Sequence, residues 1–441
     1  MEILLKGVQN RNLNLTVLGS GYVGLPTAAL FADVGFHVVA VDVRQKVVEN
    51  VNKGVCSSSE PGLCELVSRN VHQGGLRATL DFEEALTRAD VVVVTVQTPI
   101  NSAKKPNLSY LSKAVDKIGR AIRKGTLVII GSTVPPGTIL GKVKLKLEST
   151  SSLKADSDFY LAYVPERIAP GKALMEFVES PRLVGGVGSN STRIASELFR
   201  TVCRKVIETD AATAEVAKLA ENTFRDVNIA LANQLALVCE KIGVDVTEVI
   251  KLANTHPRVN IHNPGPGVGG PCLPKDPYLL LHAAYLTGSN LINTARQVND
   301  SMPEHMGNLV LQALKNSGKD TRRARITVLG TSYKADVDDS RGSPSEPLIH
   351  GLMNKGFEVL VYDPRCSEAF GARIVGSVSK AVESSSCLVI VTPHREFRNL
   401  NLRKLKALMN SAIIIDGPRI IDPRKAKEQG FSYYGIGFGG K

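Results

Sequence analysis

Residues Asn14–Gly35 read NLTVLGSGYVGLPTAALFADVG, and no other stretch limits the fold as strongly. A short apolar run (14–18) leads into three glycines at Gly19, Gly21 and Gly24. A helically spaced segment then ends at Gly35. His37 opens a second apolar run, HVVAVDV, with Asp42 near its end, eighteen residues past the last glycine. Strand, glycine loop, helix and strand in this order make a βαβ unit with a dinucleotide fingerprint. Gly19 permits the tight turn, Gly21 lets the backbone approach a pyrophosphate, and Gly24 lets helix and strand pack closely. The helix N-terminus, with Tyr22 and Val23 in the loop before it, attracts the anion. Asp42 can accept hydrogen bonds from a ribose diol and repels a 2'-phosphate, which predicts NAD rather than NADP.

The alternation continues. Buried strands are expected within 89–99, 126–138 and 158–171, each ending in a polar turn, with an amphipathic helix over 108–122. The turns present Thr98, Ser132, Thr133, Glu166 and Arg167. Strands that all end this way predict a parallel sheet whose strand ends line one crevice. From about 209 to 255 the pattern turns helical and unusually long. Lys218, Asn222 and Arg225 fall on one face of that helix. Asn222 and Asn228 are poor mid-helix choices on propensity, which favours a lining role. A second α/β unit begins at Arg325, with strands expected at FEVLVYDP, 387–394 and 412–418. The fold class is therefore α/β, with two Rossmann-like doubly wound parallel-sheet domains joined by a long central helix and a helical dimerisation region. The expected domains are 1–208, 209–318 and 319–441.

At 441 residues, with 43% apolar and 22% charged residues, the chain has material for a real core. No apolar run approaches the length needed to span a bilayer, and MEILLKGVQNRNLN does not resemble a signal peptide. The seven cysteines are scattered and odd in number, without a CxxC pair or a Cys/His cluster. Neither a metal site nor a disulfide framework is expected, and the pattern suits a reducing cytoplasm. Cys203 and Cys239 sit in apolar-periodic contexts and are expected in the core. The formal charge of +12 is spread along the chain without basic blocks or aromatic RNA-binding motifs. Small phosphate-bearing ligands are a better use of it than nucleic acid.

The stretch GPGVGGPCLPKDP, Gly265–Pro277, cannot be a helix or a regular strand. It places Cys272 beside Lys275 and Asp276. With GSGYVG, EPGL (60–63), STVPPGT (132–138), PERIAPG (165–171), AKLAEN (217–222) and YKADVDDSRGSP (333–344), it resembles, in order and over essentially the whole chain, the UDP-glucose/GDP-mannose dehydrogenase family of nucleotide-sugar 6-dehydrogenases. PER and THPRVN (255–260) are most like the UDP-N-acetyl-D-mannosamine branch. Pro271 and Lys275 depart from it toward the UDP-glucose loop, so UDP-N-acetylglucosamine and UDP-glucose stay open as alternatives.

The resemblance implies a four-electron, NAD-dependent oxidation of a primary alcohol to a carboxylate. Cys272 would capture the intermediate aldehyde. Lys218 and Asn222 would stabilise the oxyanion. Asp276 or Glu166 would act as base, and Thr133 would position water. Thr98, Thr133 and Arg341 would join the cofactor site. Arg167, Ile168, Lys218, Asn222, Arg225, His256, Arg258, Gly269, Tyr333, Lys334 and Arg419 would hold the UDP-sugar. Arg258 would reach a neighbouring subunit's site, implying a homodimer or higher homo-oligomer. A two-electron hydroxyacid dehydrogenase would have no use for Cys272. An inactive UDP-sugar- or NAD-binding module would not need thiol, lysine, asparagine and aspartate together.

Overall fold

The computed structural model describes residues 1–56, 58–284, 290–318 and 324–439. The expected boundary at 318/319 adjoins residues outside that set. Two compact units divide the chain. The first gathers Met1–Glu221 and the segment beginning at Tyr278. The second gathers Asn222–Pro277 and the later C-terminal part.

The first unit is built on an eight-stranded sheet: β1 (Asn14–Leu18), β2 (His37–Val41), β3 (Leu76–Thr79), β4 (Val91–Val94), β5 (Leu127–Ile130), β6 (Tyr160–Tyr163), β7 (Arg182–Gly186) and β8 (Val206–Asp210). Their order is β3-β2-β1-β4-β5-β6-β7-β8. Val91–Val94 and Leu127–Ile130 are buried at every position, as strands covered on both faces must be. One pairing departs from the expected parallel sheet: β7 runs antiparallel to β6, with Ala162 opposite Gly186. The connection spends its length on the Pro165–Gly171 loop. The helix that follows, Ala173–Glu179, has only seven residues. At about 1.5 Å per residue it is too short to carry the chain back along a strand. An N-terminal helix, Glu2–Asn10, buries Leu4 and Val8 in the core and packs against the helix Ser189–Arg200.

The second unit carries a six-stranded parallel sheet: β9 (Arg325–Leu329), β10 (Glu358–Tyr362), β11 (Arg373–Ile374), β12 (Cys387–Ile390), β13 (Ile413–Asp416) and β14 (Ser432–Gly435), ordered β11-β10-β9-β12-β13-β14. Its core joins these strands to Ala232, Ala236 and Cys239 of the central helix and to Met302, Met306 and Val310 of the helix Leu291–Asn316. The central helix itself runs Ala211–Ile242. A fully buried polar cluster ties its second half to Leu291–Asn316. Arg296 pairs with Asp226, and Asn233 donates to Asn299 at 2.9 Å.

One expectation about cysteine is corrected. Cys56 and Cys64 form a disulfide, their Cα atoms 5.2 Å apart. The pair joins the chain after the helix Gln45–Asn52 to the first turn of the helix Leu63–His72. A spacing of eight matches no metal or redox motif, so the sequence carries no signal for it. Cys203 and Cys239 are buried, as expected.

Candidate functional site

In the first unit the glycine loop follows β1 directly. Gly19 has φ +96° and donates its N–H to Val41 O. A Cβ at Gly24 would lie 1.7 Å from the carbonyl oxygen of Gly19, so this glycine is required by packing alone. A Cβ at Gly21 would meet nothing within 4 Å. The protein leaves that space open, and a backbone bare of side chain beside a helix N-terminus is what a pyrophosphate needs. Asp42 is buried and accepts from Ser20 N at 3.0 Å. Arg44 clasps the same carboxylate through Nε and Nη2. Burial opposes the charge of Asp42, but Arg44 and the backbone N–H groups of Arg44 and Ser20 hold its carboxyl below the usual range. These residues fit a dinucleotide.

The strand-end turns are stitched to one another. Thr98 Oγ1 donates to Thr133 O at 2.5 Å, and Ser132 Oγ to Val96 O at 2.7 Å. Glu166 Oε1 accepts from Arg167 N, Ile168 N and Arg182 Nη1. Arg182, 1% exposed, lies over the ring of Phe177 and fixes that carboxylate from below. Arg167 spends its donors within the protein: Nε and Nη2 go to Glu221, and Nη1 to Pro181 O. Lys218 is buried on the central helix.

In the second unit Cys272 is exposed. Its carbonyl accepts from Lys275 N at 3.0 Å and Asp276 N at 2.9 Å, forming the turn that opens the helix Asp276–Ala283. Asp276 is fully buried. It accepts from Asn222 Nδ2 at 2.6 Å and pairs with Lys275 Nζ at 3.1 Å. Asn222 thereby anchors the cysteine turn to the central helix. The glycines before it are dictated by close approach: a Cβ on Gly269 would lie 2.6 Å from Gly342 O, and one on Gly270 2.7 Å from the Tyr333 ring. Gly270 N donates to Arg341 O at 3.0 Å. Burial first, then Asp339 and Cys272, push the Tyr333 hydroxyl up to about 12. Arg341 itself is held by Asp339 at 2.6 Å.

A cleft of about 540 Å³ opens at the carboxyl ends of β9, β12 and β13. It lies where the strand order reverses, between β9 and β12, which is where ligands bind in open α/β sheets. Tyr333, Lys334, Arg398 and Arg419 line it. Arg419, in left-handed conformation at φ +56°, bonds Tyr433 Oη, Ile436 O and Asp245 through its three nitrogens. Arg225 is exposed on the central helix. His256 and Arg258 are exposed on a loop whose base is pinned by Asn254 to Ile261 and by Asn228 to Asn260 and His262.

Asp336, His394 and Glu396 also come together. Both His394 nitrogens are engaged there: Nδ1 accepts from Asp336 N, which leaves Nε2 to donate to Asp363. Sequence reasoning missed Arg182, Arg398 and Asp363. Arg182 and Asp363 act through partners distant in the chain, Glu166 for one and Ser332 and His394 for the other, and Arg398 is brought to the cleft only by the fold.

Three family models cover most of the chain: the UDP-glucose/GDP-mannose dehydrogenase NAD-binding domain at 13–203, the central domain at 212–301 and the UDP-binding domain at 327–423. The chain is 42% identical to the UDP-N-acetyl-D-mannosamine dehydrogenase of Pyrococcus horikoshii, over 97% of this chain and all of that one. The solved structure of that enzyme superposes with a TM-score of 0.91, over the same shares. The NDP-N-acetyl-D-galactosaminuronic acid dehydrogenase of Methanosarcina mazei is 36% identical, with a TM-score of 0.85 over 99% of this chain and 97% of that one. A UDP-glucose dehydrogenase of Pyrobaculum islandicum is 28% identical, with a TM-score of 0.86 over 97% and 98%. With its NAD cradle, cysteine turn and switch-point cleft each inside the matching domain, the chain belongs to the UDP-glucose/GDP-mannose dehydrogenase family.

Proposed function

We propose that the chain oxidises C6 of a UDP-N-acetylhexosamine to the carboxylate, with UDP-N-acetyl-D-mannosamine as its substrate. The observation that carries the reading is the exposed Cys272, on a turn anchored by Asn222 and Asp276 and preceded by glycines that admit no side chain. The Gly19–Gly24 loop and Asp42 would hold NAD, which would supply a hydride acceptor for each oxidation, a fresh NAD replacing the first NADH before the second. Between them the Cys272 sulfur adds to the aldehyde carbon, and loss of the second hydride leaves a thioester. Water then breaks the C–S bond and returns the thiol. Lys218 and Asn222 stabilise oxygen-centred charge. Glu166 or Asp276 activates the water and Thr133 positions it.

Gly19, Gly21, Tyr22, Val23, Gly24, Asp42, Thr98, Thr133 and Arg341 serve the cofactor. The UDP group takes the cleft lined by Tyr333, Lys334 and Arg419, with Arg225, His256 and Arg258 supplying further cations. Arg167 and Ile168 shape the sugar site. Resemblance to the Pyrococcus enzyme supports the mannosamine branch.

A homodimer accompanies this reading. Phe224, Leu231 and Val238 lie seven residues apart on the central helix and are 57%, 49% and 44% exposed. That spacing keeps them on nearly one face, an apolar stripe suited to a second copy.

The test is NADH release with UDP-N-acetylmannosamine, UDP-N-acetylglucosamine, UDP-N-acetylgalactosamine and UDP-glucose on one preparation. Two NADH per sugar and the highest kcat/KM for UDP-N-acetylmannosamine are expected. Cys272→Ser should abolish turnover while leaving NAD binding intact. One NADH per sugar would refute the thioester route, and preference for UDP-glucose would refute the branch.

A further inference from the structure

We infer that Glu60 is a positioning residue for the NAD cradle, and that the Cys56–Cys64 disulfide holds it there, so that the redox state of this pair sets cofactor affinity.

Glu60 is 5% exposed, and its carboxylate joins two parts of the first unit. Oε2 accepts from Tyr22 Oη at 3.2 Å, in the glycine loop, and from Gly171 N at 2.8 Å. Oε1 accepts from Ala173 N at 2.5 Å. One buried carboxylate thus fastens the loop that cradles the pyrophosphate to the far end of the Pro165–Gly171 segment, which carries Glu166 and Ile168. Hydrogen bonds to a charged group are stronger than neutral ones, and a buried carboxylate without them is costly. Glu60 therefore holds both loops while it stays in place.

Its own placement depends on the connection it sits in. Glu60 lies between helices Gln45–Asn52 and Leu63–His72, where its N–H donates to Ser58 Oγ and its carbonyl accepts from Leu63 N. The disulfide closes this connection across eight residues, four on either side of Glu60. Both cysteines are half-buried and thus within reach of a small thiol. A dithiol reductant supplies two electrons and two protons. The S–S bond breaks, two cysteine thiols form, and the reductant closes to its own disulfide. The connection then loses its covalent cross-link, and its added freedom competes with the Glu60 bonds.

The experiment is NAD titration by calorimetry on the full chain. The chain is measured oxidised, after dithiothreitol with the two thiols counted by mass spectrometry, and as the Cys56→Ser/Cys64→Ser double variant. The inference rests on the cofactor assignment, and oxidised wild type that fails to bind NAD would sink that assignment instead. Oxidised wild type should bind NAD about tenfold more tightly than the reduced chain. The double variant should match the reduced chain and ignore dithiothreitol. Equal affinities of oxidised and reduced wild type would overturn the inference, even if the double variant failed to fold. So would a folded double variant that binds like the oxidised chain. Glu60→Gln, kept oxidised, should weaken NAD to a similar degree with no loss of the folded near-ultraviolet circular dichroism signal. Wild-type affinity in that variant would remove Glu60 from the role.

Discussion

Gly21→Ala and Gly24→Ala add the same methyl group three residues apart and should do opposite things. At Gly24 the new Cβ would lie 1.7 Å from a backbone oxygen. The Gly19 carbonyl would have to move by more than an ångström, pulling the turn out of its bond to Val41. Overpacking of this kind costs ~1–3 kcal/mol. In a unit of this size each kcal/mol is worth about 2–4 °C, so the melting temperature should fall by roughly 2–12 °C. At Gly21 the methyl meets nothing within 4 Å and the backbone is not left-handed. Alanine should then leave stability unchanged or raise it by ~0.4–1 kcal/mol through the unfolded chain. Its cost appears only with ligand, when the methyl holds the pyrophosphate away from the loop N–H groups. Losing one charge-assisted bond of ~1.5–3 kcal/mol weakens NAD by about 10- to 100-fold. Scanning calorimetry without ligand and NAD titration on both variants read the two effects separately. Gly21→Ala binding NAD as wild type does would refute the assignment of that space to the pyrophosphate.

Asp42→Ala should narrow the preference for NAD over NADP by about tenfold or more, because it removes the ribose acceptor and frees Arg44 for a 2'-phosphate; unchanged kcat/KM ratios would show that Asp42 does not face the ribose. Leu231→Asp, in the exposed stripe of the central helix, should shift the chain toward monomer in light scattering, and an unchanged mass would place the interface elsewhere. Asp363 is buried against its charge, yet His394 and the backbone N–H groups of Ser332 and Arg365 hold its carboxyl well below the usual range. A depressed folded value means stability that is full above the unfolded carboxylate range and is lost as pH falls through it. The melting temperature of wild type should therefore drop between about pH 5 and 2, and Asp363→Asn should flatten that fall. Parallel curves for the two would exclude Asp363 from the acid limb.

Local chemistry made much of this legible. β1 and β2 stand where the apolar runs stand, because a buried parallel strand needs an unbroken apolar sequence. The fingerprint expects close packing at Gly24, and the structure crowds that position while leaving the space at Gly21 open. The Gly265–Pro277 stretch announces a constrained loop, and Gly269 and Gly270 show the constraint to be the Tyr333 ring and the Gly342 carbonyl. What stayed hidden depends on distant partners. Arg167 is read from its donors alone, and its Nε and Nη2 bonds to Glu221, 54 residues on, could not be foreseen. Arg182 could not be linked to Glu166 before β7 was known to turn back along β6. The helix Glu2–Asn10 was obscured because its buried face is only Leu4, Gly7 and Val8.

The two sheets wind alike: β3-β2-β1-β4-β5-β6 in one is matched by β11-β10-β9-β12-β13-β14 in the other. The likeness reaches single bonds. Gly19 and Gly330 both have φ near +95° and donate to the last residue of the second strand, Val41 and Tyr362. Ser20 N donates to Asp42, and Thr331 N and Ser332 N to Asp363. Strand order, turn and acid thus match together, so the two sheets solve the same first turn in the same way. In the first copy the acid is held by the exposed Arg44 side chain and by the backbone N–H groups of Ser20 and Arg44. In the second a buried histidine locks it, so the equivalent acid serves as a structural rivet between the strand end and the His394 turn.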